Sequence, residues 1–185
     1  MSFIIGLLGM SKVGKDEVGK ILIKEGFKRY AFGDEVKKEL AQDLNIPLED
    51  LHNQNKEKYR DKMIAYGEGK RKDNPSYWIE RIDEQIQEDI KNNIDVVITD
   101  IRRIHEIDYI VNLKKVYGKN KVNLVRLSRP PGNGGVFDED IETLRALAYA
   151  DFHNYVDKKL YNISKPEILE LNVGILLNNL LIYDN

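Results

Sequence analysis

Phe3-Ile4-Ile5-Gly6-Leu7-Leu8-Gly9-Met10-Ser11-Lys12-Val13-Gly14-Lys15-Asp16 decides the fold. An unbroken apolar run, Phe3 to Leu8, meets a loop bounded by Gly9 and Gly14. A helical pattern follows, with Val18, Ile21 and Leu22 on one face. Strand, glycine-bounded loop and helix form the context of a phosphate-binding loop. The glycines let the backbone curl so that several N–H groups, with Ser11, Lys12 and Val13 between them, converge on one spot. The start of the next helix adds partial positive charge there. Lys15 then reaches the terminal phosphates of a nucleotide, and is expected to be solvent-accessible until one arrives. The pattern is G-x-x-x-x-G-K with one departure. Asp16 stands where Ser or Thr usually meets magnesium, and a carboxylate there can hold the ion through a water.

The rest of the chain suits this start. Its 185 residues fit one α/β domain with a sizeable core, and 42% hydrophobic with 32% charged residues is an ordinary globular balance. A net charge of −2 argues against a partner that is a nucleic-acid polymer. The absence of cysteine excludes disulfides and thiolate metal sites. The first apolar run is too short for a signal segment, and no stretch matches a membrane span. The expected location is cytoplasmic, with no membrane partner; a homodimer is left open.

Strands alternate with helices. The first helix is expected from about Lys15 to Glu25, ended by Gly26, and a short strand near Lys28–Phe32 leads to Gly33-Asp34. Val36, Leu40 and Leu44 mark a helix, Pro47 a short turn, and Tyr59, Met63 and Tyr66 another helix. Asn74-Pro75 opens a further one, whose apolar stripe Trp78, Ile79, Ile82, Ile86 and Ile90 reads mostly as core. Asp95–Thr99 is a buried strand ending at Asp100. Ile104, Ile107, Ile110 and Val111 give a helix, and Val122–Leu127 a strand ending near Ser128-Arg129. Pro130 to Gly135 breaks the pattern and reads as the root of a lid over about 130–145. Lys159–Ile163 is the expected last strand, and Ser164 to Glu167 a capping box for the last helix. This order implies a three-layer α/β fold with a parallel sheet, a single phosphate-loop domain over 1–185, and acceptor-binding helices at about 34–92.

In such a sheet, ligands sit outside the carboxyl ends of the strands. Four strand ends present polar residues there: the loop itself, Asp34, Asp100 to Arg103, and Arg129. Phosphoryl transfer needs alignment, magnesium and cations more than covalent help. Asp100 is placed to reach the magnesium or its water, or else to cap the following segment. Asp34 can orient or deprotonate an acceptor, or else cap a helix. Arg102 and Arg103 are adjacent and point apart, so one can grip an anionic acceptor. Arg60, Arg71, Lys37 and Lys70 are further cations for a phosphate. His52, His105 and His153 lack metal-ligand spacing.

Two kinase families resemble this pattern. Gly14-Lys15-Asp16, Gly67 with Tyr77-Trp78, and Asp100-Ile101-Arg102-Arg103-Ile104-His105-Glu106 are similar to segments of phage-type deoxynucleoside monophosphate kinases. Gly67-Glu68-Gly69-Lys70-Arg71 with Asn74-Pro75, and Asp100 to Arg103, are similar to segments of animal-type phosphomevalonate kinases. The resemblance implies a nucleoside-monophosphate-kinase-like fold using ATP and Mg2+. Gly9 to Asp16 and Arg129 would hold the nucleotide, and Asp16 and Asp100 the metal. Asp34, Lys37, Arg71, Trp78 and Arg102 would serve a small phosphorylated acceptor. The lid departs from the pattern: Phe137 to Glu142 is acidic where such lids carry arginines, and only Arg129 and Arg145 lie near. The expected activity is ATP-dependent phosphorylation of a deoxynucleoside monophosphate, preferred because of His105-Glu106 and Tyr77-Trp78, with phosphomevalonate or another small molecule as alternative acceptor. A nucleotide-dependent switch is disfavoured: the run nearest to its base-reading motif, Asn55-Lys56-Glu57-Lys58, lacks the aspartate.

Overall fold

The computed structural model of the chain describes residues 2–52, 56–129, 141–163 and 165–182. Five strands form one sheet: β1 (Ile4–Leu8), β2 (Lys28–Tyr30), β3 (Val96–Ile101), β4 (Val122–Ser128) and β5 (Lys158–Tyr161). Every pairing is parallel, in the order β2-β3-β1-β4-β5. The helices are α1 (Lys15–Lys24), α2 (Phe32–Leu44), α3 (Lys56–Asp73), α4 (Tyr77–Lys91), α5 (Ile104–Tyr117), α6 (Ile141–Phe152) and α7 (Pro166–Ile182), with a 3-10 turn at Leu48–Leu51. The chain divides into two compact units, one of residues 1–30 and 87–185, the other Ala31–Ile86.

In the first unit β1 is the central strand, with β3 on one side and β4 on the other. The chain thus leaves the carboxyl end of β1 at the point where strand order reverses, which is where open parallel sheets bind ligands. All five residues of β1 are buried. A parallel strand covered on both faces needs apolar residues at every position, which is why Phe3 to Leu8 lacks alternation. Ile5 and Leu7, with Val97, Val125 and Leu127, pack against Val18 and Leu22 of α1 and Leu169, Val173, Leu176 and Leu180 of α7. The opposite face meets α5. There a side chain on Gly6 would lie 2.5 Å from Ile101 Cδ1 and 3.1 Å from Ile110 Cδ1, so glycine lets α5 press onto the sheet. Fully burying Val18 or Leu22 contributes about 1.5–3 kcal/mol each.

Near the edge strand β2, the buried Asp89 carboxylate accepts from Lys28 Nζ at 2.9 Å and from the Tyr30 hydroxyl. Burial, then the bond to Asp89, pushes the Tyr30 phenol up to about 12. The same carboxylate, as hydrogen-bond partner, raises the Lys28 ammonium.

The second unit is helical. Leu40, Ala41 and Leu51 form its core, with Ile46, Leu48, Tyr59, Met63 and Tyr66 against them. The Tyr66 hydroxyl donates to Asp43 at 2.7 Å, and burial with that bond pushes the phenol well above its ordinary range. Lys70 Nζ lies 5.3 Å from the Tyr66 ring centroid and 5.1 Å from that of Tyr77. Asn74 Oδ1 accepts from Ser76 N at 3.0 Å, so the expected cap at Asn74-Pro75 forms just ahead of α4.

Several boundaries differ from the sequence expectation. β2 stops at Tyr30, and Gly33-Asp34 lies in the first turn of α2 instead of in a loop at a strand end. α3 continues through Gly67 and Gly69, each of which weakens a helix by about 1 kcal/mol relative to alanine. α6 was not foreseen, and it carries Arg145, bonded to Glu142 at 2.5 Å. β5 spans Lys158–Tyr161, ending before Ile163. The lid root at 130–135, the acidic segment to residue 140 and the cap at Ser164 lie outside the described residues.

Candidate functional site: the phosphate loop and the strand ends beside it

Lys12 (φ 60°) and Gly14 (φ 105°) both have left-handed backbone, and Gly14 is the N-cap residue of α1. Such alternation turns successive N–H groups toward one side, making a concavity for an anion. Glycine at Gly14 meets two demands. Its φ is one that L side chains rarely adopt, and a Cβ there would lie 2.2 Å from Asn162 Nδ2. At Gly9 the reason is close approach, since a Cβ would lie 2.6 Å from the Leu127 carbonyl oxygen of β4. The loop is therefore wedged between the ends of β4 and β5.

Lys15 is 5% exposed, against the expectation of a solvent-accessible side chain. Its ammonium donates to the Gly9 carbonyl at 2.5 Å and the Met10 carbonyl at 2.7 Å. An ammonium taken out of water needs acceptors, and the loop supplies two of its own carbonyls. Asp16 sits in the first turn of α1, 76% exposed, with Oδ1 3.8 Å from Arg29 Nη2.

Asp100 is part of β3 instead of its terminus, and a bulge sets its direction. Gly6 pairs with Ile98 and Leu8 with Ile101, so two steps along β1 match three along β3. A bulge bends the strand and re-aims its side chains, and such bulges recur beside active sites. Just beyond, the buried Glu106 carboxylate accepts from the backbone of Arg102 at 2.7 Å and of Arg103 at 3.0 Å. One Glu106 oxygen thus fixes the turn that carries both arginines. Arg103 Nη1 also donates to Thr143 Oγ1 of α6 at 3.4 Å. Arg129 directly follows β4, and its buried Nε has no hydrogen-bond partner among the described residues.

In the helical unit, Asp34 Oδ1 holds Lys37 Nζ at 2.7 Å, and Arg71 Nη1 lies 3.2 Å from Glu68 Oε1. Trp78 is 1% exposed, and its indole N–H donates to the Gly67 carbonyl at 3.0 Å. That explains the spacing of Gly67 and Trp78: the indole ties α4 to α3, and so buried a ring positions helices instead of touching a ligand. Among the described residues no group of three or more His, Asp or Glu could hold a metal ion. Magnesium at phosphate loops takes few protein ligands and completes its shell with phosphate oxygens and waters. Asp16, exposed at the loop, and Asp100, at the bulge, fit that donor set.

A phosphate loop after the central strand of an all-parallel sheet, with helices on both faces, defines a P-loop kinase-like α/β fold. Solved structures agree. A dephospho-CoA kinase from Campylobacter jejuni superposes with TM-score 0.56 at 12% identity, covering 97% of each chain. A shikimate kinase from Aquifex aeolicus gives 0.51 at 14%, covering 97% of this chain and 99% of that one. A gluconokinase from Sinorhizobium meliloti gives 0.50 at 16%, covering 99% and 98%. At these identities the likeness concerns the fold alone. No curated protein matches the sequence significantly. The family model for phosphomevalonate kinase matches residues 7–117, more than half of the 185-residue chain. The chain belongs to the phosphomevalonate kinase family, and it is an ATP-dependent kinase. Among the described residues no helix is long and apolar enough to cross a membrane.

Asn162 and Glu106 as structural anchors were missed from sequence. Asn162 carries no local signal, because its partner Val13 is 149 residues away. Glu106 three residues after Arg103 had the spacing of a capping box, which could have revealed it.

Proposed function

We propose that the protein transfers the γ-phosphoryl group of ATP to the phosphate of a small phosphorylated acceptor of the phosphomevalonate class. The observation that carries this is the family match over residues 7–117, which spans the loop, Lys70-Arg71 and the Asp100 to Arg103 segment together. A deoxynucleoside monophosphate, suggested by the likeness of His105-Glu106 and Tyr77-Trp78, is the alternative acceptor. The Trp78 indole is spent on Gly67, and the Glu106 carboxylate on two backbone amides.

In this reading Lys15 exchanges the carbonyls of Gly9 and Met10 for phosphate oxygens, and the loop N–H groups from Ser11 to Asp16 hold the same phosphates. Arg129 adds charge to the nucleotide site. Asp16 and Asp100 would hold magnesium, which would supply charge neutralisation to the nucleotide phosphates. In the first unit Arg102 grips the acceptor anion; in the helical unit Lys37 and Arg71 are the cations suited to a phosphate, with Asp34 holding Lys37. Trp78 contributes by fixing α3. An acceptor phosphate oxygen attacks the γ-phosphorus, the bond to the bridging oxygen breaks, and ADP leaves with that oxygen. The cations stabilise charge spread over the moving phosphoryl group. The test is ADP formation with a panel of phosphomevalonate and the deoxynucleoside monophosphates. Turnover of phosphomevalonate supports the reading; turnover of nucleotides alone replaces it with the nucleotide acceptor.

A further inference from the structure

We infer that Asn162 is a positioning residue for the phosphate loop: its side-chain amide holds the Val13–Gly14 peptide in the orientation that binds nucleotide. The inference rests on the loop being the nucleotide site, and not on the identity of the acceptor.

An anion-binding loop must aim its N–H groups inward and its carbonyls away. The Val13 carbonyl and the Gly14 N–H belong to one planar trans peptide, so they point in opposite directions. Fixing one fixes the other. Asn162 Nδ2 donates to the Val13 carbonyl at 3.1 Å, in a buried contact. Asn162 is 3% exposed and Val13 6%, so water does not compete for this bond. The asparagine is itself held, because its backbone N–H donates to the Ser128 carbonyl at the end of β4, 2.9 Å away. The amide also occupies the space beside Gly14 that a Cβ would fill.

Two further loop carbonyls, those of Gly9 and Met10, accept from Lys15. These bonds are given up when Lys15 turns to phosphate, whereas the bond from Asn162 persists. With Gly14 at φ 105°, the peptide has room to flip, and a flip would point the Val13 carbonyl at the phosphates. Asn162 blocks that flip in the loaded loop.

The test is ADP binding by calorimetry in wild type, Asn162→Asp and Asn162→Ala, with thermal melts alongside. Asn162→Asp keeps the shape and replaces the donor by a carboxylate facing a carbonyl. Both variants are expected to bind ADP at least tenfold more weakly, and their KM for ATP to rise while that for the acceptor stays within twofold. Affinity of Asn162→Asp should recover on lowering the pH toward 5, as the introduced carboxyl regains a proton to donate, while wild type stays flat. If both are too unstable, Asn162→Ser, which keeps a shorter donor, is expected to lose about threefold. ADP affinity within twofold of wild type in folded variants overturns the inference. Failure of wild type itself to bind ADP would instead sink the reading of the loop.

Discussion

Replacing Lys15 by methionine separates what this side chain does before and after nucleotide arrives. Methionine keeps much of the aliphatic volume and removes the ammonium. Lys15 is 5% exposed, and its Nζ is bonded to two carbonyls at 2.5 and 2.7 Å. Hydrogen bonds from a charged donor contribute roughly 1.5–3 kcal/mol each, and desolvating the ammonium offsets part of that. Lys15→Met is therefore expected to destabilise the nucleotide-free protein by about 2 kcal/mol, or ~4–8 °C in Tm for a chain of this length. Its effect on turnover should be larger. Removing one cation from the transition state costs on the order of 3 kcal/mol or more, a loss of at least 100-fold in kcat. The assays are a thermal melt with and without ADP, and coupled ADP release. ADP should raise Tm in wild type and much less in Lys15→Met. A variant that melts within 1 °C of wild type would refute the bonding of Lys15 within the loop. One that turns over at the wild-type rate would refute its role in transfer.

Three further outcomes follow from the geometry. Asp16→Ala should raise the magnesium needed for half-maximal rate with little change in metal-free ADP affinity, and Asp16→Ser should retain activity; an unchanged magnesium titration removes Asp16 from the metal site. Arg102→Lys should lower kcat/KM for the acceptor tenfold or more, roughly 1.4 kcal/mol, because lysine cannot reproduce a two-pronged grip on phosphate; a selective loss of ATP affinity would contradict the assignment. Tyr30 titrates at about 12 when folded and near 10 when unfolded, so its protonated form contributes stability that is complete below pH ~10 and lost as pH rises toward 12. Urea melts at pH 8 and 11 should show wild type losing more stability than Tyr30→Phe; equal losses would mean that burial and the Asp89 contact do not raise this phenol.

The part of this molecule that one local pattern encodes was legible. Phe3 to Asp16 disclosed β1, the loop and α1 because burial on both faces, glycine spacing and helix periodicity all sit within one short stretch. The parallel sheet followed from alternation of elements. What was hidden depends on partners far away in sequence. Lys15 looked exposed because its acceptors are backbone carbonyls, which sequence does not display. Trp78 resembled a substrate-binding residue, but its indole N–H donates to the Gly67 carbonyl. The helix expected to about Tyr66 runs on through Gly67 and Gly69, against the low helix propensity of both glycines. The bulge at Asp100 arises from register against β1, and no single strand announces it.

The central claim is best tested by ADP formation from ATP and magnesium with wild-type protein, comparing phosphomevalonate with unphosphorylated mevalonate. The account predicts turnover of phosphomevalonate and at least a 100-fold lower kcat/KM for mevalonate, which offers no phosphate for Arg102 to grip. Equal rates with both, or none with either while a deoxynucleoside monophosphate is phosphorylated, would contradict it.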